Sequence, residues 1–147
     1  MTAPQRPDGG VYALVLRVTR PLRRTVGARG VVTLPPGRYV YVGSARRNAR
    51  KRIARHFRRD KPRRWHIDHL TTARTVHPVG ALLVTDPTVH ECALSAHVGR
   101  LCEDDAPLPG FGASDCRAGC PAHLWRAAWE VAPADLATGD AWDVLWP

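Results

Sequence analysis

Two short apolar runs, VYALVLRV at 11–18 and RYVYVG at 38–43, constrain the fold more than any other feature of this sequence. Both have the length and the β-branched or aromatic content of strands, and the second alternates tyrosine with valine. Arg20-Pro21 closes the first run, because the residue before a proline is pushed out of regular geometry. The connection over 22–36 holds Gly27, Gly30 and Pro35-Pro36, with room for short strand pieces such as 31–34. The simplest pairing of the two runs is antiparallel. It lays Gly10-Val11-Tyr12 beside Tyr41-Val42-Gly43, so that Tyr12 and Tyr41 meet. Tyr39 shares a face with Tyr41 and packs, and Gly43 is expected to end the strand where a side chain would crowd an approaching group.

A helix is expected over 46–59, with Ala45, Ala49, Ile53 and Phe57 recurring every four residues as its buried stripe. Arg52 and His56 stack one turn apart on the border of that stripe, neither buried outright nor facing fully away, and point toward the tyrosines. WHIDHL at 65–70 reads as a short helix and GALLVT at 80–85 as a buried strand. A further helix runs from 88 to about 102, with Val89, Cys92, Leu94, Ala96 and Leu101 available for the core. Residues 103–121 show no period, 123–131 read as a last strand, and an acidic tail with Trp142 and Trp146 follows. The expectation is one α/β (α+β) domain over 9–131, a small and mostly antiparallel sheet flanked by helices. A flexible lead (1–8) precedes it, and a tail (132–147) packs on it or trails from it.

Charge narrows the partners. Residues 46–64 hold 11 of the 22 basic residues and a single acid, Asp60, so this segment carries +10 of a net +9 and the remainder sums to −1. Such a stripe is the footprint expected for a phosphate backbone, gripped without reading sequence. The residues expected to contact nucleic acid are Arg46, Arg47, Arg50, Lys51, Arg55, Arg58, Arg59, Lys61, Arg63 and Arg64. No apolar run approaches a membrane span, and MTAPQRPDGG lacks the apolar centre of a signal peptide, so a cytoplasmic protein is expected.

Gly10-Val11-Tyr12, Tyr41-Val42-Gly43, a helix with Arg52 and His56, and Glu91 on a later helix resemble the GIY-YIG nuclease superfamily in order and spacing. YVGSA, RIARHF, WHIDHL, HEC, GFGASDC and HL are similar to a branch found alone or fused to endonuclease III-type DNA glycosylases. The resemblance covers roughly 9–129. It implies a metal-dependent endonuclease acting on DNA, with a place in DNA repair. Glu91 would hold one Mg2+ or Mn2+, Arg52 would grip the scissile phosphate, Tyr12 would take a proton from the attacking water, and Tyr41 and His56 would support or relay it. The chemistry needs these groups: attack on a phosphodiester builds charge that a metal and a guanidinium stabilise, and a tyrosine base needs cations that favour phenolate. Many members carry an asparagine downstream of the glutamate. The only asparagine here is Asn48, which leaves Ser114, Asp115 or His123 for that place.

Each feature also has a plainer reading. The tyrosines suit half-buried strands, and Glu91 suits a helix N-terminus without any metal. The scaffold would also serve as a nucleic-acid-binding module without catalysis, or as a protein-interaction domain. Trp65 is a base-stacking or a core residue. His66, Asp68 and His69 suit a metal or an acid/base pair, or His66 and Asp68 organise the loop beside the basic helix. Cys116, Cys120 and His123, with Cys92 as a candidate fourth ligand, suit structural zinc, the alternative being buried free thiols.

Overall fold

The computed structural model describes residues 9–113, 116 and 118–147; the expected lead at 1–8, and Ser114 and Asp115, lie outside them. β1 (Gly10–Val18) leads into a hairpin of β2 (Leu22–Val26) and β3 (Gly30–Leu34), which form a two-stranded sheet of their own. β4 (Gly37–Ala45) returns antiparallel to β1, with Gly10 opposite Ala45, Tyr12 opposite Gly43 and Val18 opposite Gly37. The strand therefore does not end at Gly43 but continues for two more residues.

Helix α1 spans Ala49–Phe57. It starts three residues later than the basic run suggests, because Asn48 adopts the left-handed conformation (φ 55°, ψ 39°), which a helix does not propagate. Ala45 thus belongs to the strand, and α1 buries Ala49, Ile53 and His56. α2 (His66–Thr71) follows. Asp68, in its first turn, reaches back to accept hydrogen bonds from the Arg64 and Trp65 backbone N–H groups at 2.8 and 3.0 Å.

β5 (Val76–Val84) begins four residues earlier than GALLVT suggested. The pairing with β1 shifts register between Val15 and Leu16, where Pro78 stands; a proline cannot donate to the ladder, and such a residue is accommodated at an irregularity. α3 (Glu91–Leu101), β6 (Leu124–Ala127) and β7 (Trp142–Leu145) complete the chain. The main sheet has the order β6-β4-β1-β5-β7, every pair antiparallel. This is the α+β architecture that the sequence suggested.

Alternation along β1 divides the core. Tyr12, Leu14, Leu16 and Val18 face one side, with Ile53 of α1, Ile67 and Leu70 of α2, and Leu22 and Leu34 of the hairpin. Val11, Ala13 and Val15 face the other, with Leu94 and Val98 of α3 and with Trp125. Trp125 donates to Ser95 at 3.1 Å, and Ser95 donates to the Ala122 carbonyl at 3.1 Å, which fixes α3 to the strand it covers. The tail is part of this structure: Leu136 is buried and β7 pairs with β5. Among the described residues no helix is long and apolar enough to cross a membrane.

Candidate functional site

The antiparallel register brings Tyr12 and Tyr41 to the same face at one end of the sheet, and α1 lies over that end. The Tyr12 hydroxyl lies 2.8 Å from His56 Nε2. The Tyr41 ring meets the His56 ring edge-on, with centroids 6.1 Å apart. His56 is 1% exposed, so it sits inside the packing rather than on the border of the stripe. Its position follows from α1 starting at Ala49, which turns residues 49, 53 and 56 inward together. Arg52 donates from Nη1 to the Ser44 carbonyl at 2.8 Å, and its guanidinium lies 4.9 Å from the centre of the Trp65 ring. Trp65 is 38% exposed, so it is not a core residue.

Tyr12, Tyr41, Arg52, His56 and Glu91 all line one cavity of about 780 Å3, with Gly43, Ser44, Trp65, Cys92 and Cys116. Glu91 comes from α3 on the opposite face, yet as the first residue of that helix it still reaches the cavity. The five residues singled out from the sequence are therefore neighbours in space. Gly43 has a different reason from the one expected: a Cβ there would stand 2.6 Å from the Tyr12 hydroxyl, so the glycine makes room for that ring.

Electrostatics follow from burial among cations. Burial, then the charges of Lys61, Arg55 and Arg52, push His56 down to about 3 against the pull of Asp68, so the imidazole is neutral at pH 7. Burial and Tyr41 raise Tyr12 above the ordinary phenol range, with Arg52 opposing. Burial, Glu91 and Asp68 raise Tyr41, again against Arg52. Burial favours the neutral form of Glu91, but the close approach of the His123 imidazole and the Ser44 side chain outweighs it and holds the carboxyl below its usual range.

A second cluster abuts the cavity. Cys92, Cys116, Cys120 and His123 bring one ligand atom each to within 4.8 Å of one another, a group able to hold a metal ion. Cys92 Sγ lies 3.2 Å from Cys116 Sγ and 4.0 Å from His123 Nε2. The backbone N–H of Cys120, then the Cys92 thiol, hold Cys116 down to about 6, while hydrogen bonding to Cys116 and burial push Cys92 up to about 12. The other ring nitrogen of the buried His123, Nδ1, lies 2.9 Å from a Glu91 oxygen. That approach is short enough for charge attraction although out of line for a well-formed hydrogen bond. The resemblance offered His123 as one stand-in for the missing asparagine, but no spacing pointed to this pairing, which joins residues 32 positions apart. Cys102, the remaining cysteine, is buried elsewhere.

The basic segment divides in two. Arg46, Arg47, Arg50, Lys51, Arg58, Arg59, Arg63 and Arg64 are exposed. Arg55 and Lys61, expected on the binding surface, are instead committed inside. Arg55 grips the fully buried Asp68 carboxylate with two hydrogen bonds, at 2.9 and 3.0 Å. Lys61 donates to the Arg55 and His56 carbonyls at the C-terminal end of α1, and burial and neighbouring cations push it down to about 8. A buried carboxylate requires a partner, and an unpaired helix end requires a donor, which is why these two cations turn inward.

The family described as "Domain of unknown function DUF123" matches residues 11–138, most of the chain. No curated protein and no solved structure matches.

Proposed function

The chain belongs to the DUF123 family, and from its site we propose that it is a metal-dependent endonuclease of the GIY-YIG type, hydrolysing phosphodiester bonds in DNA. One observation carries the reading: the Tyr12 hydroxyl stands 2.8 Å from a neutral His56 in a cavity that Arg52 and Glu91 also line. With the imidazole proton on Nδ1, Nε2 accepts the phenol hydrogen and orients the tyrosine oxygen. Tyr12 takes a proton from the attacking water as its own passes to His56 Nε2. The oxygen–phosphorus bond to water forms, and the bond to the leaving oxygen breaks, that oxygen taking its proton from solvent. A bound phosphodiester adds negative charge and raises the proton affinity of His56 from its low value. Arg52 stabilises charge on the phosphoryl oxygens.

Glu91 is half-buried, held ionised and 2.9 Å from a single His123 nitrogen, and so suits Mg2+ or Mn2+, which bind through one or two carboxylates plus substrate oxygens. When bound, such an ion supplies Lewis-acid stabilisation of the developing charge. The exposed arginines and Lys51 of 46–64 hold the DNA backbone. The second cluster fits structural zinc: three thiols and one imidazole are a known closed tetrahedral set, whose ligand atoms stand about 3.5–3.8 Å apart. Free thiols suited to metal also fit a cytoplasmic setting.

Labelled duplex, branched and single-stranded DNA, incubated with Mg2+ or Mn2+, tests the reading. Wild type is expected to cut at least one substrate, with Tyr12→Phe and Glu91→Ala slower by about 100-fold or more. Wild-type binding that weakens with salt, without cleavage of any substrate, sinks the nuclease and leaves a nucleic-acid-binding module. One observation favours that second reading: among the described residues Glu91 is the only carboxylate lining the cavity.

A further inference from the structure

Glu91 and Cys92 are consecutive residues at the start of α3, and they serve different neighbours. Cys92 belongs to the thiol cluster, and Glu91 lines the cavity. His123 stands between the two sites with one ring nitrogen toward each: Nε2 is 4.0 Å from Cys92 Sγ, and Nδ1 is 2.9 Å from a Glu91 oxygen. An imidazole that ligates a metal through one nitrogen donates its other N–H to a carboxylate or carbonyl, and that partner sets the tautomer and the ring orientation. His123 has such a carboxylate, and the ring is fully buried, so it has little freedom to turn away.

The surrounding chain reinforces the link. His123 donates its backbone N–H to the Phe111 carbonyl at 2.8 Å, and its own carbonyl accepts from Val42 N–H of β4 at 2.8 Å. Phe111 packs edge-on against Tyr41, with centroids 6.5 Å apart. Gly112 (φ +75°) lies so close that a Cβ would stand 3.0 Å from the Tyr41 ring and 3.2 Å from His123 Cβ. Cys92 and Cys116 themselves line the cavity. The thiol cluster is thus one wall of the cavity.

We propose that the two sites are one coupled unit: a metal ion held by Cys92, Cys116, Cys120 and His123 Nε2 fixes His123 so that Nδ1–H positions the Glu91 carboxylate in the cavity. Glu91 is then both the outer partner of one metal's histidine and the cavity's own carboxylate, and His123 is a positioning residue. Coupling of this kind is reciprocal. What His123 does for Glu91, Glu91 does for metal retention at the thiols. The inference rests on the metal reading of the cluster, and its test needs no DNA cleavage.

The full-length protein is loaded with Zn2+ or Co2+, and its affinity is measured by competition with a chromophoric chelator. Wild type and Cys102→Ala are expected to show thiolate-to-Co2+ charge-transfer bands and tetrahedral d–d bands, and Cys116→Ser to lose both. Glu91→Ala is expected to hold zinc about 10- to 100-fold more weakly, and Glu91→Gln, which keeps an acceptor, to recover part of that loss with shifted d–d bands. Tyr12→Phe, which alters the cavity without touching His123, should retain wild-type affinity. Wild-type zinc affinity and an unshifted Co2+ spectrum in both Glu91 variants would falsify the coupling, as would failure of the wild type to take up either metal. Weakened zinc binding in the Glu91 variants of a protein that cuts no DNA upholds the coupling and removes the nuclease reading instead.

Discussion

At the scale of single residues, Gly43 shows how close this site is built, because an added Cβ would lie 2.6 Å from the Tyr12 hydroxyl and 2.7 Å from the adjoining ring carbon. Neither atom can yield cheaply, since the hydroxyl is held by His56 and the ring is buried in the core. Gly43→Ala is expected to cost about 1–3 kcal/mol, the range for overpacking a filled interior. The loss should be partly relieved in the Gly43→Ala/Tyr12→Ala double variant, and chemical denaturation of the four proteins measures that non-additivity. His56 gives a pH prediction. Its folded value is pushed down to about 3 from the ordinary 6.5, so below pH 6.5 the unfolded chain takes up a proton that the folded protein refuses. Stability therefore falls as pH drops from about 6.5 toward 3, by up to about 1.4 kcal/mol per pH unit for this one proton. His56→Asn should show a shallower slope across that window in urea titrations. Tyr12, Tyr41, Arg52 and His56 were legible because two strand motifs and a helical spacing carry them, and Glu91 only through the resemblance. The depth of His56 and the purpose of Gly43 were not, since both depend on which atoms meet across the sheet.

At the scale of elements, the basic segment is less uniform than its composition. Asp68 is the only acid facing α1 from α2, and it accepts from Arg55 twice and from the Arg64 and Trp65 backbone. Arg55 also stacks on Trp65, with its guanidinium 4.6 Å from the ring centre. Removing the carboxylate leaves a mostly buried guanidinium and two N–H groups unanswered. Asp68→Ala should therefore destabilise by about 3–5 kcal/mol, seen as a lowered denaturation midpoint with an unchanged m-value. Arg46→Ala, on the exposed face, should change stability by no more than about 0.5 kcal/mol. Periodicity found α1, α2 and α3 but misplaced their ends, because a left-handed Asn48 decides where α1 starts. Pro78 likewise masked the first residues of β5. The β2–β3 hairpin was only partly visible, as its arginines interrupt the alternation that marks a strand.

At the scale of the whole molecule, the two faces of one sheet divide the work: α1 and α2 cover the tyrosines, and α3 covers the other side while lending Glu91 to the cavity. Within 103–121, which has no sequence period, Asp105 and Pro109 among the described residues are tied to Arg126 and Arg29, partners distant in sequence, so no local pattern announced them. The acidic tail was equally unreadable as a strand, since WDVL is short and its partner lies far upstream. Yet that tail has a consequence for the behaviour of the protein in solution. β7 covers the backbone of β5 from Ala81 to Val84, one of the most apolar stretches of the chain. It also places Asp143 on the outside, 3.0 Å from Arg50. Short, charged border strands are how sheets avoid recruiting one another into aggregates. Deleting residues 141–147 should therefore leave a sticky ladder and produce concentration-dependent self-association, and sedimentation of the truncated and full-length chains at rising concentration would reveal it. A truncated chain that stays as monodisperse as the full-length one would show that the last strand is not a guard against aggregation.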